Sequence, residues 1–390
     1  MSHRLTILSL STIHQDGRVL RQIDFAARAG YHVTVVGWGH LDRARPRVRM
    51  TPVPRVILPP ARRALQVARM LGGRITPRAF EQWYWAKPDH RQALHAVIAS
   101  QPDLIHANEA IALPIAMEAA RRTRAKVLFD AHEYASEQRA DALSWRLLAK
   151  PLYAYIIATY ATRADAMITV EEHIARRYQE EFGIPQVQVI TNAPEYQPFP
   201  FRPVNPHRIR LIHHGGAMRE RRLEAMIHAI ARAEDRFSLE FMLMPGTPGY
   251  LDKLQRIAEE KAPGRVTFRP PASPADITTT LHQYDVGVYL LQPANYNQAM
   301  ALPNKLFEFI MAGLAVAIGP SPAMAAVVQR YGLGVVAESF EPGALAAKLN
   351  ALTPDDINAM KRASLQAARE LNAEREMGKL LDIYARLLAS

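Results

Sequence analysis

Along nearly the whole chain, short apolar runs alternate with stretches in which apolar residues recur every three or four positions. Residues 5–10 form an apolar run suited to a buried parallel strand, and 11–17 follow as a polar loop. A helix is predicted from Arg18, with Val19, Leu20, Ile23, Ala26 and Ala27 on one face and Gly30 at its end. Residues 32–38 then read as a second strand, completing a βαβ unit. The same rhythm continues through strand-like segments at 104–109, 127–133, 166–170 and 187–190, with a helix over 172–182 ended by Gly183. Five prolines between positions 194 and 206 interrupt it. A second block then begins with a strand at 209–213, Gly215 and Gly216, and a helix from Leu223. Further strands follow at 237–244, 266–268, 286–291 and 315–319.

Alternating strands and helices predict an α/β fold of two Rossmann-like, doubly wound domains. The expected division is 1–195, a linker over 196–207, and 208–373, with a final helix of about 374–390 packing back on the first domain. The length of 390 residues and 49% apolar composition suffice for two such cores. The chain has no cysteine, which excludes disulfides and thiolate metal sites, and no secretory start or 18-residue apolar run is evident. A cytoplasmic protein is expected, with a peripheral position at the inner face of the cell membrane as a further expectation. The net charge of +11 calls for an anionic partner. No zinc-finger, RNP-type or basic-zipper pattern accompanies it, so nucleic acid is an unlikely partner.

Residues 302–313 carry the strongest local signal. Pro303 suits the first turn of a short helix and Gly313 the position just past its end. Leu306, Phe307, Ile310 and Met311 make an apolar stripe, while Asn304, Lys305 and Glu308 fall on another face. No side chain of the capping type precedes Pro303, so the first-turn N–H groups and Lys305 suit a diphosphate, and Glu308 suits sugar hydroxyls. A buried helix with a surface ion pair is the other reading.

Further candidates lie where strands end, the place at which open α/β sheets bind ligands. His14, Asp16, Gly17 and Arg18 follow the first strand without a GxGxxG motif, which gives no support to a dinucleotide dehydrogenase. His106 and the group Asp130, His132 and Glu133 follow two others. In the second block, Gly215 and Gly216 let backbone approach a ligand, and Arg221 can neutralise phosphate. Residues 43–90 are rich in Arg and Pro, with an amphipathic helix at 61–71 followed by Trp83, Tyr84 and Trp85. That combination suits an anionic membrane surface; a solvated helix with core aromatics fits equally.

Together the motifs 14–21, 130–133, 164–170, 190–192, Gly216 with Arg221, and 302–313 resemble the retaining GT-B glycosyltransferases of family four, over nearly the whole chain. The resemblance implies two domains facing a central cleft. It also implies sugar transfer with retained configuration from a UDP- or GDP-linked nucleotide sugar, used as substrate with no cofactor. Arg221 and Lys305 would hold the diphosphate and Glu308 the ribose. His132 would contact the transferred sugar, so His132, Glu308, Arg221 and Lys305 form the implied catalytic set. Gly17, Arg18, Gly216, Asn297, Pro303 and Asn304 complete the donor site. No Asp-x-Asp occurs, and a metal-independent reaction is expected. Met300 stands where the family has a second Glu, with Asn297 and Gln298 near it; altered donor contacts through Asn297 are the expectation. The implied acceptor is a glycan or lipid-linked, cell-envelope polysaccharide intermediate. A nucleotide-sugar 2-epimerase, or a non-enzymatic basic protein of membrane surfaces or nucleic acid, remains the alternative.

Overall fold

A computed structural model describes residues 3–389. The chain divides into two compact units, one of residues 1–191, 295–297 and 377–390, the other of 192–294 and 298–376. The proline-rich stretch after Asn192 therefore belongs to the second unit.

The first unit holds a parallel sheet of β1 (Arg4–Thr12), β2 (His32–Trp38), β3 (Val48–Pro52), β4 (Leu104–Asn108), β5 (Lys126–Ala131), β6 (Ala166–Thr169) and β7 (Val187–Val189). Its order is β3-β2-β1-β4-β5-β6-β7, so the direction of winding reverses between β1 and β4. Strand β3 is hidden in sequence by the arginines and prolines around it. Residues 60–99 form three helices, Pro60–Gly72, Pro77–Trp85 and Pro88–Ala99, each opening on a proline whose absent N–H costs nothing there. The loop after β1 is shorter than its sequence suggests. Residues Ile13–Gln15 make a 3-10 turn, and Asp16 caps the helix Gly17–Arg28 by accepting from the Val19 N–H at 3.2 Å. The core gathers Leu5, Ile7, Ile23 and Val35 with Met377, Leu380, Ile383 and Tyr384 of the last helix, Ala373–Ala389. Each such fully buried aliphatic side chain contributes about 1.5–3 kcal/mol relative to exposure.

The second unit repeats the plan with β8 (Ile209–Gly216), β9 (Phe237–Met244), β10 (Val266–Arg269), β11 (Val286–Tyr289), β12 (Ala315–Ile318) and β13 (Gly334–Val336). The order is β10-β9-β8-β11-β12-β13, again all parallel, with the reversal between β8 and β11. Gly215 and Gly216 are the last residues of β8 and do not form a loop after it. The helix Asn304–Met311 starts one residue later than its sequence suggests. Pro303 is extended, with φ −70° and ψ 148°, and precedes the first turn. Leu306, Phe307, Phe309, Ile310 and Met311 are all buried in the core of this unit, and Gly313 ends the helix at φ +70°, a conformation that favours glycine. Lys305 is buried too, so the polar face inferred from spacing is narrower than expected, with Asn304 exposed and Glu308 partly buried.

Candidate functional site

In the second unit three groups converge at the carboxyl end of β8. Gly215 has φ +126°, and a Cβ placed on it would lie 3.0 Å from Lys305 Nζ and 3.6 Å from an Arg221 terminal nitrogen. Glycine is required there by both conformation and space. Lys305 lies with its ammonium 5.3 Å above the Tyr289 ring, and among the described residues it has no carboxylate within ion-pair distance. Burial pushes its pKa down to about 7; the Arg221 charge acts in the same direction and Glu308 opposes both. Glu308 is engaged with His214, whose Nε2 lies 3.2 Å from Oε2. Behind it, His213 donates through Nδ1 to the Val288 carbonyl at 2.8 Å, and its buried Nε2 meets no partner. Burial, with Lys305 next, holds His213 neutral by pushing its pKa well below the usual value.

No side chain caps the helix Asn304–Met311, and Asn304 Oδ1 accepts from Asn192 at 2.6 Å. Two basic side chains thus meet beside Gly215, one of them from the first turn of an uncapped helix. An anion placed there would restore the full charge of Lys305. Gly216 lies beside Gly215 on the same strand end, so the structure brings together Gly216, Arg221, Asn304, Lys305 and Glu308. His213 and His214 join them unannounced. Their signal in the sequence was their position just before the two glycines.

The first unit builds a different cluster. Arg18 is buried and binds Asp130 through two nitrogens at 2.8 and 2.9 Å, with a third N–H on the Ile190 carbonyl at 2.9 Å. Gln22 donates to the same carboxylate at 2.7 Å. The guanidinium expected to face phosphate is therefore directed inward. Gly17, its neighbour, is exposed at the helix start. The register Asn108↔Asp130 between β4 and β5 sets His132 among three acceptors. Its Nε2 lies 2.9 Å from Asn108 Oδ1 and 3.5 Å from Asp130 Oδ2, and its Nδ1 lies 3.2 Å from Glu109 Oε1. Burial works against charge on His132, but Asp130 and then Glu109 hold its pKa up at about 10. Burial alone would raise Asp130; the Arg18 and His132 charges keep it well below the usual carboxylate range. His106 is completely buried, with Nδ1 2.6 Å from the Tyr384 hydroxyl.

Two further features surround His132. Glu109 has φ +69° and ψ 150°, a region that only glycine occupies without strain. Burial, followed by the Glu109 charge, raises the Glu133 carboxyl to about 7. Asn297 belongs to this first unit: its side chain accepts from the Tyr134 N–H at 2.9 Å and donates to the Tyr134 carbonyl at 3.0 Å. Among the described residues, no group of three or more His, Asp or Glu side chains is disposed to hold a metal ion.

The two parallel-sheet units define a class: the fold is GT-B. Residues 18–194 match the family model of Glycosyltransferase Family 4. The sucrose-phosphate synthase of Thermosynechococcus elongatus has a similar structure, with a TM-score of 0.74 and 15% identity over 99% of both chains. Anabaena HepE in complex with UDP aligns at 0.70 with 13% identity, covering 99% of this chain and 100% of that one. The glycosyltransferase WaaG, involved in lipopolysaccharide biosynthesis, aligns at 0.65 with 14% identity, covering 97% and 99%. No curated protein sequence matches the chain.

Proposed function

We propose that the protein is a retaining glycosyltransferase that uses a nucleoside-diphosphate sugar. The observation that carries this reading is the convergence of Arg221 and Lys305 on the space above Gly215, with no carboxylate within ion-pair distance of Lys305 among the described residues. A diphosphate fills that space with the charge it lacks, and the leaving nucleoside diphosphate gains negative charge as the C1–oxygen bond breaks. Preorganised cations and helix N–H groups stabilise that state more than the ground state. Glu308 is available to ribose hydroxyls. The acceptor oxygen then bonds to C1 on the face that the diphosphate leaves, and its proton passes to the departing phosphate oxygen. No step requires a metal. HepE in complex with UDP and with UDP-glucose, and UDP-forming trehalose-phosphate synthase from Burkholderia vietnamiensis, support UDP as the first donor base to test.

Thermal-shift titration against UDP- and GDP-sugars tests the reading, because a ligand that binds only the folded state raises its melting temperature. A stabilising UDP- or GDP-sugar is expected; none at millimolar concentration would contradict the proposal. Glu133, with its carboxyl raised to about 7, favours a second reading, the 2-epimerase, since a buried acid near neutrality suits proton transfer. Incubation with donor alone separates the two: release of an epimer supports the epimerase, and an unchanged donor sugar supports the transferase.

A further inference from the structure

The first unit contains a cavity of about 490 Å³ at the carboxyl ends of its strands, lined by Leu10 of β1, Trp38 at the end of β2 and Ile111 just past β4. Open α/β sheets bind ligands at that edge, and the volume suits a small organic molecule. Three of the chain's four tryptophans, Trp38, Trp83 and Trp145, form its walls. Two cations border it. Lys87 Nζ sits 4.0 Å from the centre of the Trp83 ring and the Arg55 guanidinium 5.1 Å from that of Trp38. Among the described residues neither cation has a carboxylate within ion-pair distance, although the charge of Asp89, also in the wall, acts on Lys87.

Among the described residues two buried polar atoms of the wall meet no hydrogen-bond partner, the Trp38 indole N–H and Nδ1 of His90, whose ring also faces the Tyr84 backbone. Buried polar groups are nearly always satisfied, so these atoms mark where a polar ligand group fits. Beyond the cavity the surface turns apolar. The helix Pro60–Gly72, which supplies Met70 to the wall, leaves Leu65 and Leu71 exposed. The π-helical turn Trp145–Ala149, packed against that helix, leaves Leu147 exposed. Residues 43–80 contain ten arginines and no Asp or Glu. An indole-walled cavity bordered by two cations, and walled in part by a helix that exposes leucines in an acid-free segment, matches an anionic head joined to a hydrocarbon tail.

We propose that this cavity holds the phosphate and the first tail carbons of a lipid-linked acceptor, with Lys87, Arg55 and the Trp38 N–H on the phosphate and the indoles along the tail. The assignment rests on the transferase reading for the word acceptor, and the ligand chemistry stands on the cavity alone.

Tryptophan fluorescence reports on the cavity directly, since three of the four indoles line it. The probe is n-decyl phosphate below its micellar concentration, titrated into the full chain. A saturable change is expected, weakened at least tenfold in the Arg55→Ala/Lys87→Ala double variant, whose melting temperature serves as the folding check. A single Trp38→Phe variant, which removes the N–H along with part of the ring and leaves Trp83 and Trp145 as reporters, gives a second and smaller loss. Four outcomes would overturn the proposal. They are no saturable change, equal affinity for inorganic phosphate, equal affinity for uncharged n-decyl maltoside, and binding only to phosphatidylglycerol vesicles with the double variant unaffected. A parallel titration with the panel of UDP- and GDP-sugars keeps the two proposals apart: failure of the whole panel sinks the transferase reading, and failure of decyl phosphate sinks this one.

Discussion

Each unit buries a cation at the carboxyl edge of a parallel sheet, and the two treat it oppositely. Arg18 meets Asp130 in a two-nitrogen contact and spends a further N–H on a backbone carbonyl. Lys305, similarly removed from water, meets an aromatic face, another cation nearby and, among the described residues, no carboxylate within ion-pair distance. A buried charge that is paired is part of the framework, and one left unpaired costs free energy until a ligand arrives. On the proposed function, the difference makes Lys305 a contact for the donor diphosphate and the Arg18 network part of the architecture, although both cations looked alike as residues near strand ends.

The largest effect should come from breaking the paired site. Asp130→Asn leaves Arg18 buried without its counter-charge, a change that costs about 3–5 kcal/mol in comparable buried pairs. The melting temperature should fall markedly. A variant that melts normally but binds UDP-glucose poorly would return Arg18 to the phosphate site. Next comes Lys305→Met. Removing an unpaired buried charge should leave the unliganded protein at least as stable, while donor affinity drops by about 2–3 kcal/mol, roughly 30- to 150-fold. Parallel loss of stability and affinity would make Lys305 structural and erase the contrast.

The smallest effect concerns Glu109. Glu109→Gly relieves about 1–3 kcal/mol of backbone strain and forfeits contacts to His132 and Gln138, so stability should change by less than that range. Its sharper signature is titration. The raised pKa of His132 stabilises the fold fully below the unfolded value of about 6.5, and that contribution fades as pH rises through about 10. In the glycine variant an NMR titration should place the His132 midpoint lower, with the fade starting at correspondingly lower pH. An unmoved midpoint would show that Glu109 does not hold the proton.

Much of the fold was legible because buried parallel strands are nearly pure apolar runs. The strands His32–Trp38 and Phe237–Met244 and the helix Glu172–Phe182 coincide with their sequence patterns. Strand β3 was not legible, because the arginines and prolines around it carry the composition of a loop and its pairing to β2 decides the matter. Among site residues, Lys305, Glu308 and Arg221 stood out by motif, but the burial of Lys305 depends on β8 and Tyr289, far away in sequence. The Arg18–Asp130 bond spans 112 positions, beyond any local pattern. Asn297 shows the same limit, since its two bonds to Tyr134 cross 163 positions. Likewise Trp83 and Tyr84, compatible in sequence with a membrane belt, are buried in the first unit.

The measurement closest to the central claim is proton uptake on donor binding, read by calorimetry of UDP-glucose near pH 8 in two buffers of different ionisation enthalpy. UDP-glucose has no phosphate titrating in that range, whereas the unliganded Lys305, with its pKa at about 7, is mostly neutral. A diphosphate seated on Lys305 raises that pKa, so binding should take up close to one proton, and Lys305→Met should abolish the uptake. Binding with no proton uptake, or uptake that survives in the variant, would contradict the account.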